Sequence, residues 1–518
     1  MKYFLLLLTF LLLNLSNTKS QCLNDLYLGF GGAGIDEGKA IITDEAGNSY
    51  IAGTFVDAIQ LGSFSLTTTD SIALFLAKLT PAGNVLWAKK IITNFSNYYN
   101  TILKINDAGQ LVMAGTCDNH FSDFDTLMQP FVDGDIYVSK FNPADGTLQG
   151  FLSMGNHGYS WVNDFSTDPG NNIYVTGGFV GPVSFGPYNL QCTGTTNTFI
   201  ARFNTNDQAD WAMRVTNNLT SGNFSSKINF DGAQHIYVCG WYGISCDFGN
   251  GNVLTSADYS NGYLTKLDTA GNIEWARTSI PGKTYFHQVI IDTTSILVIS
   301  ESPATLVNYN QNGDTIWTKA LSHNSYNLFR QLILFKESLF AIGTFSNSIL
   351  FGDSTCTVDG TNIFIARFQL DGSFDWMRTV HTTYNAYPES IDIDTSGNFH
   401  IAGSYQGQDT LDYVHAMPVF GTREVLYLEL CNGAVSVSDL KNGPELTLFP
   451  IPFSENLIIS GTKENGVMSI YDMTGREILK CKSADIRTEI FTGDFHSGIY
   501  LVRYSSADQS FSWKVIKN

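Results

Sequence analysis

Short apolar runs punctuated by Gly, Asn, Asp and Pro fill most of the chain. KAIIT, SYIAGTF, LFLAKL and NVLWAKK follow one another between residues 39 and 90. DEAGN joins the first pair and TPAGN the second. Runs of this length bounded by turn residues predict strands, and the Gly-containing joints predict hairpins. The runs are apolar at nearly every position instead of alternating, which is the pattern of strands covered on both faces. The phrase closing the second strand returns as DAGQLVMAGTC (107–117), DPGNNIYVTGGF (168–179) and DTSGNFHIAGSY (394–405). Its glycine falls at Gly53, Gly115, Gly177, Gly240, Gly343 and Gly403, with Ser300 in that place in one drifted copy. The steps are 62, 62, 63, 60, 43 and 60 residues. Seven units of four antiparallel strands predict an all-β chain whose main body is a seven-bladed propeller.

A feature present in most units holds units together; one present once is a candidate for function. The fourth strands carry Trp87, Trp211, Trp275, Trp317 and Trp376, and the third strands Lys78, Lys140, Arg202, Lys266 and Arg367. Both series are read as framework. The repeated glycine is read as a point where a neighbouring blade packs close. The fifth unit lacks only the segment between its second and third strands, so that segment is an added outer hairpin or loop. The seventh unit has no fourth strand, while LNDLYLGFGGAG near the N-terminus aligns with fourth strands, Tyr27 taking the tryptophan position. The N-terminal strand is therefore expected to complete the last blade and remove its open edge. Under that alignment Cys431 and Cys22 lie side by side, which predicts a Cys22–Cys431 disulfide.

Charge and composition narrow the class. The 518 residues carry a net charge of −19, so polyanions such as nucleic acid are repelled by most of the surface. Residues 1–20 combine Lys2, the apolar run Phe4–Leu13 and a small Ser20, the layout of a cleaved export signal. No later stretch is long and apolar enough for a transmembrane helix. Eight cysteines are too sparse for a disulfide scaffold, and no zinc-type spacing occurs among them. The expected organisation is signal peptide 1–20, propeller 21–433, a polar linker 434–445 and a small Ig-like β-sandwich 446–518.

The repeats between about 22 and 431, with their GN-x-Y-[IV]-x-G and W-A-[KR] phrases, resemble the seven-bladed repeats of secreted bacterial proteins known as SBBP repeats. That family implies a fold and no single activity. The C-terminal stretch shows FPIPFS, YDMTGRE, SGIYLVRY and a terminal KVIK. Pro450, Pro452, Phe453, Tyr471, Gly475, Arg476, Gly498, Tyr500, Lys514 and Lys517 carry a resemblance to the type A sorting domain of type IX secretion in Bacteroidetes. Ile451 stands where that family usually has Asn. The resemblance implies passage across the outer membrane, the secretion machinery and its sortase as partners, and release or surface attachment.

Function is expected in the links from fourth to first strands, which are long, differ from blade to blade and are rich in aromatics, Asn and His. They supply Tyr98, Tyr99, Tyr159, Trp161, Tyr285, His287, His323, Tyr326, His381 and Tyr384. Aromatic faces with amide groups suit sugar rings or extended peptide. The competing reading is that these rings merely plug the opening. No catalytic constellation, cofactor motif or metal motif is found. A polysaccharide-cleaving enzyme would need two convergent carboxylates, and the links are poor in acids apart from Glu389. The expectations are a glycan- or protein-binding module first, a polysaccharide-degrading enzyme second, and a passive surface-layer protein third.

Overall fold

The computed structural model describes residues 25–517 except 70–71, 94–100, 117–135, 156–159, 218–222, 257–260, 280–284, 293–294, 302–303, 322–327, 352–353, 383–384, 408–409, 412–414, 432–446, 450–455, 463–465, 473–475, 484–485 and 506–509. Every described helix or strand is a β-strand. The chain divides into two compact units, Met1–Ser438 and Asp439–Asn518.

In the larger unit the strands form seven antiparallel sheets. The first comprises Glu37–Thr43, Ser49–Phe55, Ala73–Leu79 and Val85–Thr93, and the second Thr101–Ile105, Leu111–Thr116, Ile136–Phe141 and Leu148–Met154. The third comprises Ser160–Thr167, Ile173–Phe179, Asn197–Phe203 and Ala209–Asn217, and the fourth Asn223–Phe230, His235–Tyr242, Asn261–Asp268 and Ile273–Thr278. The fifth comprises Phe286–Ile291, Ile296–Glu301, Ala304–Tyr309 and Thr315–Ala320, and the sixth Leu328–Phe335, Ser338–Phe351, Ser354–Gln369 and Phe374–Val380. The seventh takes Asn385–Ile393, Phe399–Gln406 and Glu424–Leu430, and its fourth strand is Leu26–Phe30. Leu26 lies opposite Glu429 and Phe30 opposite Val425. Short outer hairpins follow the second strand in the first and third sheets, Ala58–Leu61 with Phe64–Thr67 and Pro182–Phe185 with Tyr188–Gln191. The corresponding hairpin of the fourth unit, Ser245–Asp247 with Val253–Thr255, pairs onto the third sheet.

Continuous apolar strands arise because each strand feeds two cores. In Ser49–Phe55, Tyr50 and Ala52 enter the cluster shared with the second sheet, while Ile51 and Phe55 enter the one shared with the seventh. Seven such clusters occur, each built from two consecutive sheets, and one of them joins the seventh sheet to the first.

The recurrent tryptophans lock neighbouring sheets. Trp87, Trp211 and Trp275 donate their indole N–H to Pro143 O (3.3 Å), Thr269 O (3.0 Å) and Gln311 O (3.1 Å), each in a turn of the next sheet. The glycines of those turns, Gly146, Gly271 and Gly313, have φ near +71°, +86° and +79°, and a Cβ there would meet the indole ring at 2.8–3.0 Å. In the seventh sheet this place belongs to Leu26, not Tyr27. Leu26 pairs with Glu429 as Trp87 pairs with Lys78, and a Cβ on Gly83 would meet Leu26 at 2.7 Å. The expected alignment was out by one residue, which in a strand exchanges the two faces.

The repeated glycine also has a different cause from the one expected. A Cβ on Gly53, Gly177, Gly240 or Gly403 would collide with the backbone carbonyl oxygen of Glu37, Trp161, Phe224 or Tyr387. Those carbonyls belong to the first strand of the same sheet, not to a neighbouring sheet. In each case that strand carries a one-residue bulge beside the glycine.

In the smaller unit, Thr447–Phe449, Asn456–Thr462 and Ile486–Phe491 form one sheet, and Val467–Asp472, Glu477–Lys482, Gly498–Ser505 and Ser510–Lys517 a second. Leu457, Ile459 and Ile490 of the first share a core with Met468, Ile470, Val502 and Val515 of the second.

Candidate binding channel

Six of the seven first strands bulge at the same register position. The extra residues are Lys39, Asn163, Ser226, His287, Arg330 and Glu389. A bulge leaves one residue unpaired and re-aims its side chain. All six line one cavity of about 840 Å³, to which the second sheet adds Thr101–Ile105. The first strand of every sheet therefore contributes to a single cavity. The lining differs from sheet to sheet, unlike the framework residues.

A first strand is the edge of its sheet, so half of its amides face away from the ladder and need other acceptors. Side chains of the preceding sheet supply them. The residue after the bulge accepts from the next sheet at four positions: Asp164 from Ile228 N (3.1 Å), Gln288 from Leu332 N (2.7 Å), Gln331 from Ile391 N (2.9 Å) and Ser390 from Ile41 N (3.3 Å). Gln288 also donates its amide to Leu332 O. Asp392 accepts from both Thr43 N and Thr43 Oγ1 at 2.7 Å, a second link from the seventh sheet to the first. Ala40 and Ile102 fill two of the three remaining positions, and Lys227 fills the last.

Four cations (Lys39, Lys104, Lys227, Arg330) and three acids (Asp164, Glu389, Asp392) line the cavity. Lys39 pairs with Glu37 at 2.6 Å, Lys104 with Asp164 at 3.4 Å, and Arg330 lies 3.9 Å from Glu389. Burial pulls the Lys104 pKa below the ordinary lysine value; Asp164 opposes that effect and the charge of Lys227 adds to it. Burial raises the carboxyl pKa of Asp392 against the bonds from Thr43. Lys227 pairs through its backbone with Cys239, and its ammonium makes no hydrogen bond or ion pair among the described residues.

Beside the cavity runs a row of aromatic rings. Trp161 stacks on Phe224 at 5.9 Å, Phe224 on Trp241 at 4.7 Å, and Trp241 meets Tyr285 edge-on at 5.2 Å. Phe224 and Trp241 are cavity-lining residues, and Tyr285 is 36% exposed. Two link residues from the sequence reading, Trp161 and Tyr285, are thus brought together by two it missed. His287 lines the cavity, and its Nε2 lies 3.3 Å from Arg330 O. His381 follows Phe374–Val380 and is not a lining residue. Tyr98, Tyr99, Tyr159, His323, Tyr326 and Tyr384 lie outside the described residues.

Ser49, His400 and Asp394 lie together: Ser49 Oγ is 3.0 Å from His400 Nδ1, and His400 Nε2 is 3.5 Å from Asp394. Ser49 and His400 are fully buried between the first and seventh sheets. No substrate reaches that hydroxyl, so the trio is a packing contact. Cys431 is buried, and Cys22 lies outside the described residues. Among the described residues no cluster of His, Cys, Asp and Glu could hold a metal, and no helix is long and apolar enough to cross a membrane.

In the smaller unit, Tyr471 OH donates to Glu477 (3.3 Å), Arg476 pairs with Asp472 (3.2 Å), and buried Tyr500 donates to His496 O (2.7 Å). Gly498, Lys514 and Lys517 lie on the last two strands, with Gly498 opposite Lys517 and Leu501 opposite Lys514. Pro450, Pro452, Phe453 and Gly475 lie outside the described residues. Residues 447–518 match the secretion system C-terminal sorting domain. The chain is therefore exported by type IX secretion to the cell surface or the extracellular space.

Likenesses to other proteins are thin. An uncharacterized WD repeat-containing protein, L264 of Acanthamoeba polyphaga mimivirus, is 24% identical over 229 residues, 39% of this chain and 16% of that protein's own length. Hydrazine synthase of Kuenenia stuttgartiensis is 11% identical, covering 58% of this chain and 74% of that one, with a TM-score of 0.32. PorZ, a surface component of the type IX secretion system of Porphyromonas gingivalis, is 10% identical, covering 95% of this chain and all of that one, with a TM-score of 0.20.

Proposed function

We propose that the seven sheets are the blades of a closed propeller and that the exported protein is a binding module. Its ligand, a glycan or an extended peptide, enters the central channel and lays an apolar face on the Trp161–Phe224–Trp241–Tyr285 row. The observation that carries this reading is the set of six bulges that aim six unlike side chains into one cavity. Closure is supported by the pairing of Leu26–Phe30 with Glu424–Leu430 and by the seventh-to-first links through Ser390 and Asp392, which repeat the links between other neighbours. A Cys22–Cys431 disulfide would secure the same seam, and intact mass of the unreduced protein tests it. The two sheets of the smaller unit are proposed to form the Ig-like sandwich of the sorting domain, with residues 1–20 as a cleaved signal.

Binding is favoured over polysaccharide cleavage because the carboxylates are committed. Asp164 and Asp392 accept amides of the next sheet, and Glu389 faces Arg330. A glycosidase keeps two carboxyl groups free on either side of the scissile bond. The test is a glycan array and a peptide pull-down with the exported full chain, wild type and Trp241→Ala. Binding that weakens in Trp241→Ala supports the module. Saccharide turnover that disappears in Glu389→Gln would replace it with the enzyme.

A further inference from the structure

Among the described residues the channel carries one cation that the fold leaves unpaired. At the position that follows the bulge, four sheets place an acceptor that holds an amide of the next sheet, the first sheet places Ala40, and the unbulged second sheet places Ile102 at the same register. The fourth sheet places Lys227 there, opposite Cys239. An ammonium cannot accept an amide, so the link to the fifth sheet is given up. The other lining cations each have a carboxylate near: Glu37 for Lys39, Asp164 for Lys104 and Glu389 for Arg330. The Lys227 ammonium has no ion pair among the described residues, and it lines the cavity together with Lys104, which feels its charge. Asp164 pairs with Lys104 alone, so the two cations together leave a net positive spot in a chain whose total charge is −19.

The aromatic row crosses the strand that carries Lys227. Phe224 precedes Lys227 by three residues on one strand, about 10 Å of extended backbone, less at a bulge. Both residues, and Trp241 stacked on Phe224, line the same cavity. A pyranose ring stacked on Phe224 and Trp241 would place an acid group on the same or the adjoining sugar within reach of the Lys227 ammonium.

We propose that the channel takes an acidic saccharide, its ring on Phe224 and Trp241 and its carboxylate or sulfate on Lys227, with Lys104 alongside. This rests on the reading of the channel as a ligand site. Charge-assisted bonds to an oxyanion are the strong contacts an ammonium makes. The Debye length at physiological salt is about 8 Å, so the contact is felt locally while the acidic exterior is screened.

The test uses the exported full chain on an array of uronate-, sialate- and sulfate-bearing oligosaccharides, each beside its neutral counterpart, followed by calorimetry on the best pair. Wild type should prefer the acidic member by about tenfold or more, one charge-assisted contact. Lys227→Gln should bring the preference below about threefold, and Lys227→Arg should keep it. A preference near one, or one untouched by Lys227→Gln, overturns the proposal. Acidic and neutral saccharides bound equally, both weakened by Trp241→Ala, would leave the channel as a binding site and remove only the acid contact. Binding of acidic peptides with no saccharide bound would overturn the saccharide. No binding of any probe would overturn this proposal and the channel reading together.

Discussion

Replacing Gln288 by leucine tests the links that hold the channel wall. Gln288 accepts from Leu332 N at 2.7 Å and donates to Leu332 O, so one side chain satisfies both main-chain groups of a residue only 1% exposed. Leucine has nearly the same volume and fits the space, but it leaves a buried donor and a buried acceptor unpaired. Each such group costs about 1–3 kcal/mol. The added apolar burial returns about 0.8 kcal/mol per methylene equivalent. The net expectation is a loss of about 2–4 kcal/mol. Two assays read it: the guanidinium midpoint followed by tryptophan fluorescence, and hydrogen exchange of the Leu332 amide. A loss of about 2 kcal/mol in local opening corresponds to roughly thirtyfold faster exchange. Gln288→Glu keeps the acceptor and loses the donor, so it should fall between. A midpoint within about 0.5 kcal/mol of wild type, with unchanged exchange at Leu332, would refute the claim that these side chains serve the edge amides.

Further outcomes follow from the same geometry. Gly403→Ala sets a Cβ 2.9 Å from Pro388 Cα and closer still to the Tyr387 carbonyl oxygen. It should cost about 1–3 kcal/mol in denaturant midpoint, and Ser300→Gly at the equivalent place in the fifth sheet should be far milder. Lys227→Gln supplies the acceptor missing between the fourth and fifth sheets and, by register, should take the Val289 amide. A gain of about 0.5–1.5 kcal/mol in thermal unfolding is expected, alongside the loss of acid preference. Asp36 is buried and accepts from Gly32 N at 2.6 Å; burial raises its pKa from 3.8 to about 7. The proton is bound more tightly in the folded state, so this contribution to stability is fully present below about pH 4 and is lost as pH rises through about 7. Asp36→Asn should flatten that slope in melts taken between those values.

Most of the framework was legible in the sequence because it repeats. Apolar strands, the Gly of the second strand and the tryptophan of the fourth recur from unit to unit, and repetition exposes them, and with them the early end of the seventh unit, without any knowledge of contacts. The channel was not legible in the same way. Its residues are the ones that do not repeat, and their placement depends on bulges that no single copy announces. A trace exists in hindsight: HQVII, RQLIL, ESIDI and NDFST each open on two adjacent polar residues. In a regular strand such a pair would send one side chain into each neighbouring core. A bulge turns the first into the channel and leaves the second to serve the next sheet. Trp241 and Phe224 were missed for another reason. Trp241 sits inside the strand His235–Tyr242, where nothing in the sequence sets it apart from core aromatics, and Phe224 closes the link 217–224 without standing out from it. Trp161 and Tyr285 were found because they stand in or beside links. The one-residue error at Leu26 has a simple origin: LYLGF offers two large residues side by side, and only the pairing register decides which one faces the first sheet.

Everything assigned to the channel depends on the strand Leu26–Phe30 completing the seventh sheet. Hydrogen exchange of the unligated, exported protein, read on the peptide spanning Leu26–Phe30, tests this directly. Those amides should be protected to the same degree as Val85–Thr93, the fourth strand of the first sheet. Exchange of Leu26–Phe30 within seconds, with Glu424–Leu430 exchanging as an open edge, would contradict the closed ring and remove the cavity from which the binding site is built.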